Sequence, residues 1–109
     1  MLSSFYKIHS QDFREKYNLG EKKFSKHFRF QVIPDQNITH PMFAVIVGKK
    51  LYKKAVYRNK QRRRIYNIVS ETYLHFCKGF WCFMYLQKDI SGLSYADLKK
   101  EIQDILLSL

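Results

Sequence analysis

Nine cationic side chains, Lys49, Lys50, Lys53, Lys54, Arg58, Lys60, Arg62, Arg63 and Arg64, fall within sixteen residues, and no acid interrupts them. Ammonium and guanidinium groups hold anions through charge-assisted hydrogen bonds. A solvated helix face usually mixes signs to gain pairs one turn apart, whereas here like charges repel at those spacings. Such repulsion is relieved by a polyanion. The commonest intracellular one is nucleic acid, whose phosphates release counterions when Lys and Arg neutralise them; an anionic membrane surface is the main competitor.

The block dominates the chain's charge. Across 109 residues there are 20 Lys and Arg against 9 Asp and Glu, a net +11. Outside residues 49–64 the balance is 11 basic to 9 acidic, so the rest is nearly neutral. A hydrophobic fraction of 46%, including 9 Phe, 8 Tyr and 1 Trp, supplies a core for one domain over residues 1–109. No run of 18 or more apolar residues occurs, and Met1 to Ser10 lacks a signal-peptide pattern, so no membrane association and a cytoplasmic location are expected.

Other reactive residue types are sparse. Cys77 and Cys82 read as two buried thiols in a reducing compartment, because a zinc site would need further ligands and only His75 lies near. His9, His27, His40 and His75 are isolated. No nucleophile with a positioned base and no paired carboxylates emerge, so neither a catalytic residue nor a metal site is assigned.

The elements that must position the block follow from periodicity. Ser10 can cap a helix from Gln11 to about Asn18, which places Phe13 and Tyr17 on one face, with Gly20 beyond its end. From Phe24 to Ile33 the residues alternate: Phe24, Lys26, Phe28, Phe30 and Val32 on one side, Ser25, His27, Arg29, Gln31 and Ile33 on the other. A further short strand has room within residues 20–40. Met42 to Val47 reads as a central strand. Ile65, Ile68, Val69, Thr72 and Phe76 recur at helical spacing between Ala55 and Phe76, but continuing the stripe backwards reaches Gln61 and Arg58. That end of the helix is therefore expected to overhang the core. Phe80 to Leu86 forms an apolar strand, and Ser94 with Asp97 caps a last helix carrying Leu98, Ile102, Ile105, Leu106 and Leu109. The order gives an α+β layer structure.

With these elements placed, a resemblance becomes specific. The stretch Phe43 to Ala55, an apolar strand running into Lys49-Lys50 and a short basic link, followed by Arg58-Asn59-Lys60-Gln61-Arg62-Arg63, resembles the protein subunit of bacterial ribonuclease P. Asp12-Phe13 with Tyr17 and Gly20 upstream, and the strand at 80–86 with Leu93-Ser94-Tyr95 and the Leu-rich terminal helix downstream, extend the likeness over about residues 10–109. Departures are Tyr66-Asn67 in place of Arg-Glu, Arg64 at a commonly apolar position, Lys60 for Arg, Met42 for Arg and Gly79 for an acid.

The resemblance implies an αβββαβα sandwich similar to domain two of a small-subunit ribosomal protein. It also implies a left-handed βαβ crossover where sequence physics alone expects a right-handed one. The implied partner is a catalytic RNA subunit that cuts precursor tRNA to expose the mature 5′ end, with Mg²⁺ bound mainly by that RNA and no obligatory protein partner. By residue, Arg58, Asn59, Lys60, Arg62 and Arg63 match the motif facing the catalytic RNA, and Lys49, Lys50, Lys53 and Lys54 add phosphate contacts. Phe13 and Tyr17 match the aromatic pair of a cleft for the single-stranded 5′ leader, and Arg29 and Gln31 are placed to floor it. On the residues alone, a structural RNA-binding protein of ribosomal type remains the alternative. A DNA reader or a free-standing nuclease fits less well.

Overall fold

Phe28, Phe30 and Val32 recur every second residue and end buried on one side of a strand, as period-two alternation requires. A computed structural model describes residues 7–8, 19–73, 76 and 78–109. The helix expected over residues 11–18, with Phe13 and Tyr17, and Cys77 lie outside the described residues, as do His9 and His75.

Four strands, β1 (Glu21–Phe24), β2 (Phe28–Pro34), β3 (Met42–Ile46) and β4 (Phe80–Leu86), form one sheet in the order β1-β2-β4-β3. β1 pairs antiparallel with β2, β2 antiparallel with β4, and β3 parallel with β4. The connection from β3 to β4 runs through helix α1 (Ala55–Thr72), and helix α2 (Tyr95–Leu106) follows β4. This is the α+β architecture expected from the sequence.

Both helices pack on one sheet face. Ile65, Ile68 and Val69 of α1 and Leu98, Ile102 and Leu106 of α2 join Phe28, Phe30, Phe43, Val45, Phe80, Cys82, Met84 and Leu86 in the main core. Full burial of side chains this size stabilises by about 1.5–3 kcal/mol each. Cys82 is fully buried, and burial pushes its thiol up, away from the reactive thiolate. The opposite face has its own cluster of Ala44, Trp81 and Phe83, flanked by Ile8, Ile33, Ile38, Met42, Ile46 and Tyr85. The uninterrupted apolar character of β4 follows, because apolar side chains are buried on both faces.

Three expectations are corrected. The strand read from Phe24 to Ile33 is a hairpin: the chain turns at Ser25–His27, where the Glu101 carboxylate accepts from Ser25 Oγ (2.6 Å), the His27 amide (2.8 Å) and His27 Nδ1 (2.7 Å). The turn puts Phe24 opposite Arg29, so it shares Arg29's face rather than that of Phe28. The strand expected to be central, β3, instead borders the sheet, with β4 inside it. Its outer edge is covered by a parallel bridge from Lys7 to Phe43 and by the Tyr66 hydroxyl, which accepts from the Val45 amide at 3.1 Å. Finally, the overhang at the start of α1 is shorter than expected. Gln61 is 3% exposed, so the buried stripe runs back through it, and only the turns from Ala55 to Lys60 stand clear of the core.

Elsewhere the local signals hold. Ser94 Oγ accepts from the Asp97 amide at 3.2 Å and caps α2. α1 ends at Thr72, four residues short of the expected limit, and Phe76 packs edge-on against Phe80 with centroids 5.3 Å apart. Gly20 adopts φ +88, the left-handed region, and an added Cβ would lie 2.4 Å from the Val32 carbonyl oxygen.

The Glu101 tie gives a pH prediction. Burial pushes this carboxyl up, but the bonds from Ser25 and His27 outweigh it and hold it below its ordinary value of 4.5. Its contribution is therefore complete above that value and is lost as pH falls through the depressed folded-state value. Urea denaturation should show Glu101→Ala destabilised by about 1.5–3 kcal/mol at pH 7. The difference from wild type should shrink once the carboxyl is protonated, and an equal difference at pH 7 and pH 3 would exclude the linkage.

Candidate nucleic-acid interface

Between the two lysine pairs of the block stand Leu51 and Tyr52, and Tyr52 is 8% exposed. Its hydroxyl donates to Asp89 Oδ1 (2.5 Å) and accepts from the Ile90 amide (2.9 Å), which pins the loop after β3 to the loop after β4. Burial pushes this phenol up, as does the Asp89 carboxylate that accepts its proton. In return the Tyr52 hydroxyl and the Ser91 amide hold Asp89 below the usual carboxylate range. With Tyr52 turned inward, Lys49, Lys50, Lys53 and Lys54 all remain exposed.

α1 starts immediately beyond. Lys54 is its N-cap, with no side-chain cap bond and no acid in the first turn, so the positive helix end adds to the lysines. Arg58 Nη1 donates to the Tyr52 and Lys53 carbonyls, both at 2.9 Å, folding the guanidinium back onto the loop. Arg62 Nη1 donates to Asn59 Oδ1 at 2.8 Å. Asn59, Lys60 and Arg63 are exposed. Among the described residues none of the nine cations pairs with a carboxylate; the two ion pairs found there, His27–Glu101 and Lys99–Glu71, lie elsewhere.

Two residues take roles the sequence did not suggest. Lys7 brings a further cation, its Nζ 4.7 Å from the centroid of the Tyr66 ring, and with Asn59, Arg62, Arg63 and Tyr66 lines a hollow of about 240 Å³. Its isolation in sequence carried no signal. Arg64, by contrast, is a structural clamp: its guanidinium donates to Gln61 Oε1 (2.7 Å), the Ile90 carbonyl (2.9 Å) and the Leu93 carbonyl (2.6 Å).

The second sheet face supplies aromatic surface. The registers of β1 with β2, β2 with β4 and β4 with β3 set Phe24, Arg29, Tyr85 and Ile46 in one row. Phe24 is 68% exposed, and the Arg29 guanidinium carbon stacks 4.2 Å from the Tyr85 ring centroid. Tyr85 and Ile46 also line a hollow of about 480 Å³ with Lys49 and Lys50. Gln31, the other residue placed in the expected cleft, is 1% exposed and donates from Nε2 to the Leu19 carbonyl, so it presents no surface. Phe24 and Tyr85 escaped the sequence reading because their shared row exists only through strand register.

Among the described residues no three His, Cys, Asp or Glu side chains could hold a metal ion together, and the exposed block repels a free cation. No helix among the described residues is long and apolar enough to cross a membrane.

A two-faced α+β layer with one uncompensated cationic end defines a small protein built to meet a polyanion. The comparisons with known proteins sharpen that class. A family model described as Ribonuclease P matches residues 7–109. The ribonuclease P protein component of Synechocystis is 25% identical over 97 residues, which cover 89% of this chain and 78% of the relative. Among solved structures, the RNase P protein of Staphylococcus aureus superposes with TM-score 0.81 at 21% identity, over 94% of each chain. That of Thermotoga maritima gives 0.82 at 18% identity, over 94% of this chain and 96% of the other. These two likenesses establish the fold. The chain belongs to the ribonuclease P protein family. It is a protein subunit of the ribonucleoprotein endoribonuclease that matures tRNA 5′ ends, and an RNA partner follows from membership.

The geometry separates stability from binding. Arg64→Ala leaves three acceptor oxygens without their donor and should cost about 1–3 kcal/mol in urea denaturation. Arg63→Ala, at an exposed position, should stay within about 0.5 kcal/mol of wild type. Similar losses in both variants would refute the assignment of Arg64 as a clamp.

Proposed function

We propose that the chain docks on its catalytic RNA through the loop 48–54 and the exposed flank of α1. Lys49, Lys50, Lys53, Lys54, Lys60 and Arg63 meet phosphates, and Arg58, Asn59 and Arg62 form the motif facing the RNA core. One observation carries this reading: nine cations stand on a single contiguous stretch, none paired with a carboxylate among the described residues. Their mutual repulsion is a standing cost that only an external polyanion removes. Arg58 and Arg62 use one guanidinium nitrogen each on neutral oxygens, which fixes the fork while leaving other N–H donors for phosphate.

In the same proposal the precursor's single-stranded 5′ leader lies along the second sheet face. Phe13 and Tyr17 belong to that cleft through the family motif. The row of Phe24, Arg29 and Tyr85 supports the reading, because unpaired bases stack on aromatic and guanidinium faces without regard to sequence. Lys49 and Lys50, beside Tyr85 in the adjoining hollow, are placed to follow the backbone from leader to RNA core. Gln31 supports the cleft from within by holding Leu19. The chemistry of the cut would belong to the RNA, where bound Mg²⁺ would supply an activated water and charge stabilisation. The protein's own part is to concentrate and orient two RNAs whose phosphates repel each other.

Reconstitution tests the core of the proposal. Added to a matching catalytic RNA at low Mg²⁺, the protein should restore precursor tRNA cleavage, and no restoration with an RNA active at high Mg²⁺ would overturn it. Lys53→Ala and Arg63→Ala should each weaken binding to the catalytic RNA and flatten its salt dependence by about one unit of slope. Phe13→Leu and Arg29→Ala should reduce the preference for precursor over mature tRNA. An unchanged preference in both would place the leader elsewhere.

A further inference from the structure

On the side of α1 away from Lys7, residues Tyr57, Lys60, Gln61 and Arg64 succeed one another at i, i+3, i+4 and i+7, so they line one face of the helix. Facing them across a hollow of about 470 Å³ are Leu51 and Tyr52 from one loop and Asp89 with Ser91 from the other. That volume lies in the range of small-ligand pockets and accommodates a nucleotide.

Three features give the hollow a chemical pattern. Gln61 is 3% exposed, and its orientation is fixed because Arg64 can only donate: the bond at 2.7 Å must fall on Oε1. Gln61 lines the hollow, and its Nε2 donates to no described residue, so this donor is free for a ligand. That donor is open to whatever enters the hollow, while the rest of the side chain is held in place by burial. The stripe it occupies, continuing Ile65, Ile68 and Val69, would accept an apolar residue on packing grounds alone. Second, Asp89 keeps accepting capacity beyond the bonds from Tyr52 and Ser91, which both end on Oδ1. Third, Tyr57 is 52% exposed, and Lys60 has no ion pair or side-chain hydrogen bond among the described residues.

A bare phosphate does not suit this pattern, because the carboxylate at one wall repels it. A ligand must bring an acceptor to Gln61, donors to Asp89, a flat face to Tyr57 and a negative group to Lys60. We propose that this hollow is a site for one unpaired nucleotide of RNA, with guanine favoured, its base lying against Tyr57 and its phosphate on Lys60. The guanine Watson–Crick edge offers an oxygen acceptor beside two N–H donors, whereas the other three bases offer a single donor position there. Arg64, spent on Gln61, Ile90 and Leu93, holds the wall and does not bind the anion.

The inference rests on the RNA-binding reading, and the test separates the two. The ¹⁵N-labelled full chain is titrated with GMP, AMP, CMP, UMP and inorganic phosphate, with the Gln61 side-chain amide as reporter. GMP should shift that amide and the Ser91 backbone signal about fivefold or more tighter than the other nucleotides, and phosphate should leave Gln61 unmoved. Gln61→Leu should remove the guanine preference while keeping the nucleotide response near Lys60. Tyr57→Ala, at an exposed position, provides a second variant and should weaken all four nucleotides together. Equal responses to all nucleotides and phosphate, or an unmoved Gln61, would overturn the site. Catalytic RNA binding is measured on the same samples. If the RNA binds while GMP moves nothing, the pocket alone is refuted; if neither binds, the RNA reading falls with it.

Discussion

Tyr52, buried between two pairs of lysines, donates to Asp89 and accepts from the Ile90 amide, and this contact decides where the positive charge of the molecule points. Because the phenol is drawn inward, the flanking ammonium groups face outward, and the loop carbonyls it fixes become acceptors for Arg58. Arg64 closes the other side by holding the Ile90 and Leu93 carbonyls. The two loops and the first half of α1 thus form one rigid support. Arg58, Arg62 and Arg64 are held by contacts to neutral oxygens, and no ion pair among the described residues engages the cations of the block. This arrangement gives up local electrostatic stability and recovers it from the core beneath.

That core is organised around β4. Lying inside the sheet and carrying apolar side chains on both faces, β4 is common to the helix-packed core and to the Trp81–Phe83 cluster. It also ends at the Asp89–Ile90 loop that receives Tyr52, so the strand that dominates packing delivers the partner for the cationic loop. The same strand sets Tyr85 beside Arg29 on the opposite face. Two surfaces with different chemistry, one of exposed cations and one of aromatic and guanidinium groups, are therefore placed by a single element.

Much of this was legible from residue order. Alternation at Phe28, Phe30 and Val32, the apolar run of Phe80 to Leu86, the helical stripe ending at Thr72 and the Ser94 cap are local signals, and each survives because burial there agrees with propensity. The cationic block was equally plain, since charge needs no fold to be counted. Less legible was the hairpin at Ser25–His27. Its cause, Glu101, lies 76 residues from Ser25, beyond any local window. Arg64 looked like one more cation of the block, and only its three acceptors show it to be structural.

By itself, then, the sequence determined the α+β class, the concentration of charge in residues 49–64 and the motif that marks the family, because periodicity, composition and spacing are properties of the chain alone. The tertiary structure decided that Gln61 is buried, that β3 borders the sheet, that Phe24 joins Arg29 and Tyr85 in one row, and which arginines are committed to the fold. These outcomes depend on strand register and on long-range hydrogen bonds. Both are settled by which distant groups meet, and a one-residue change of register would send the strand side chains Phe24, Arg29 and Tyr85 to the opposite face.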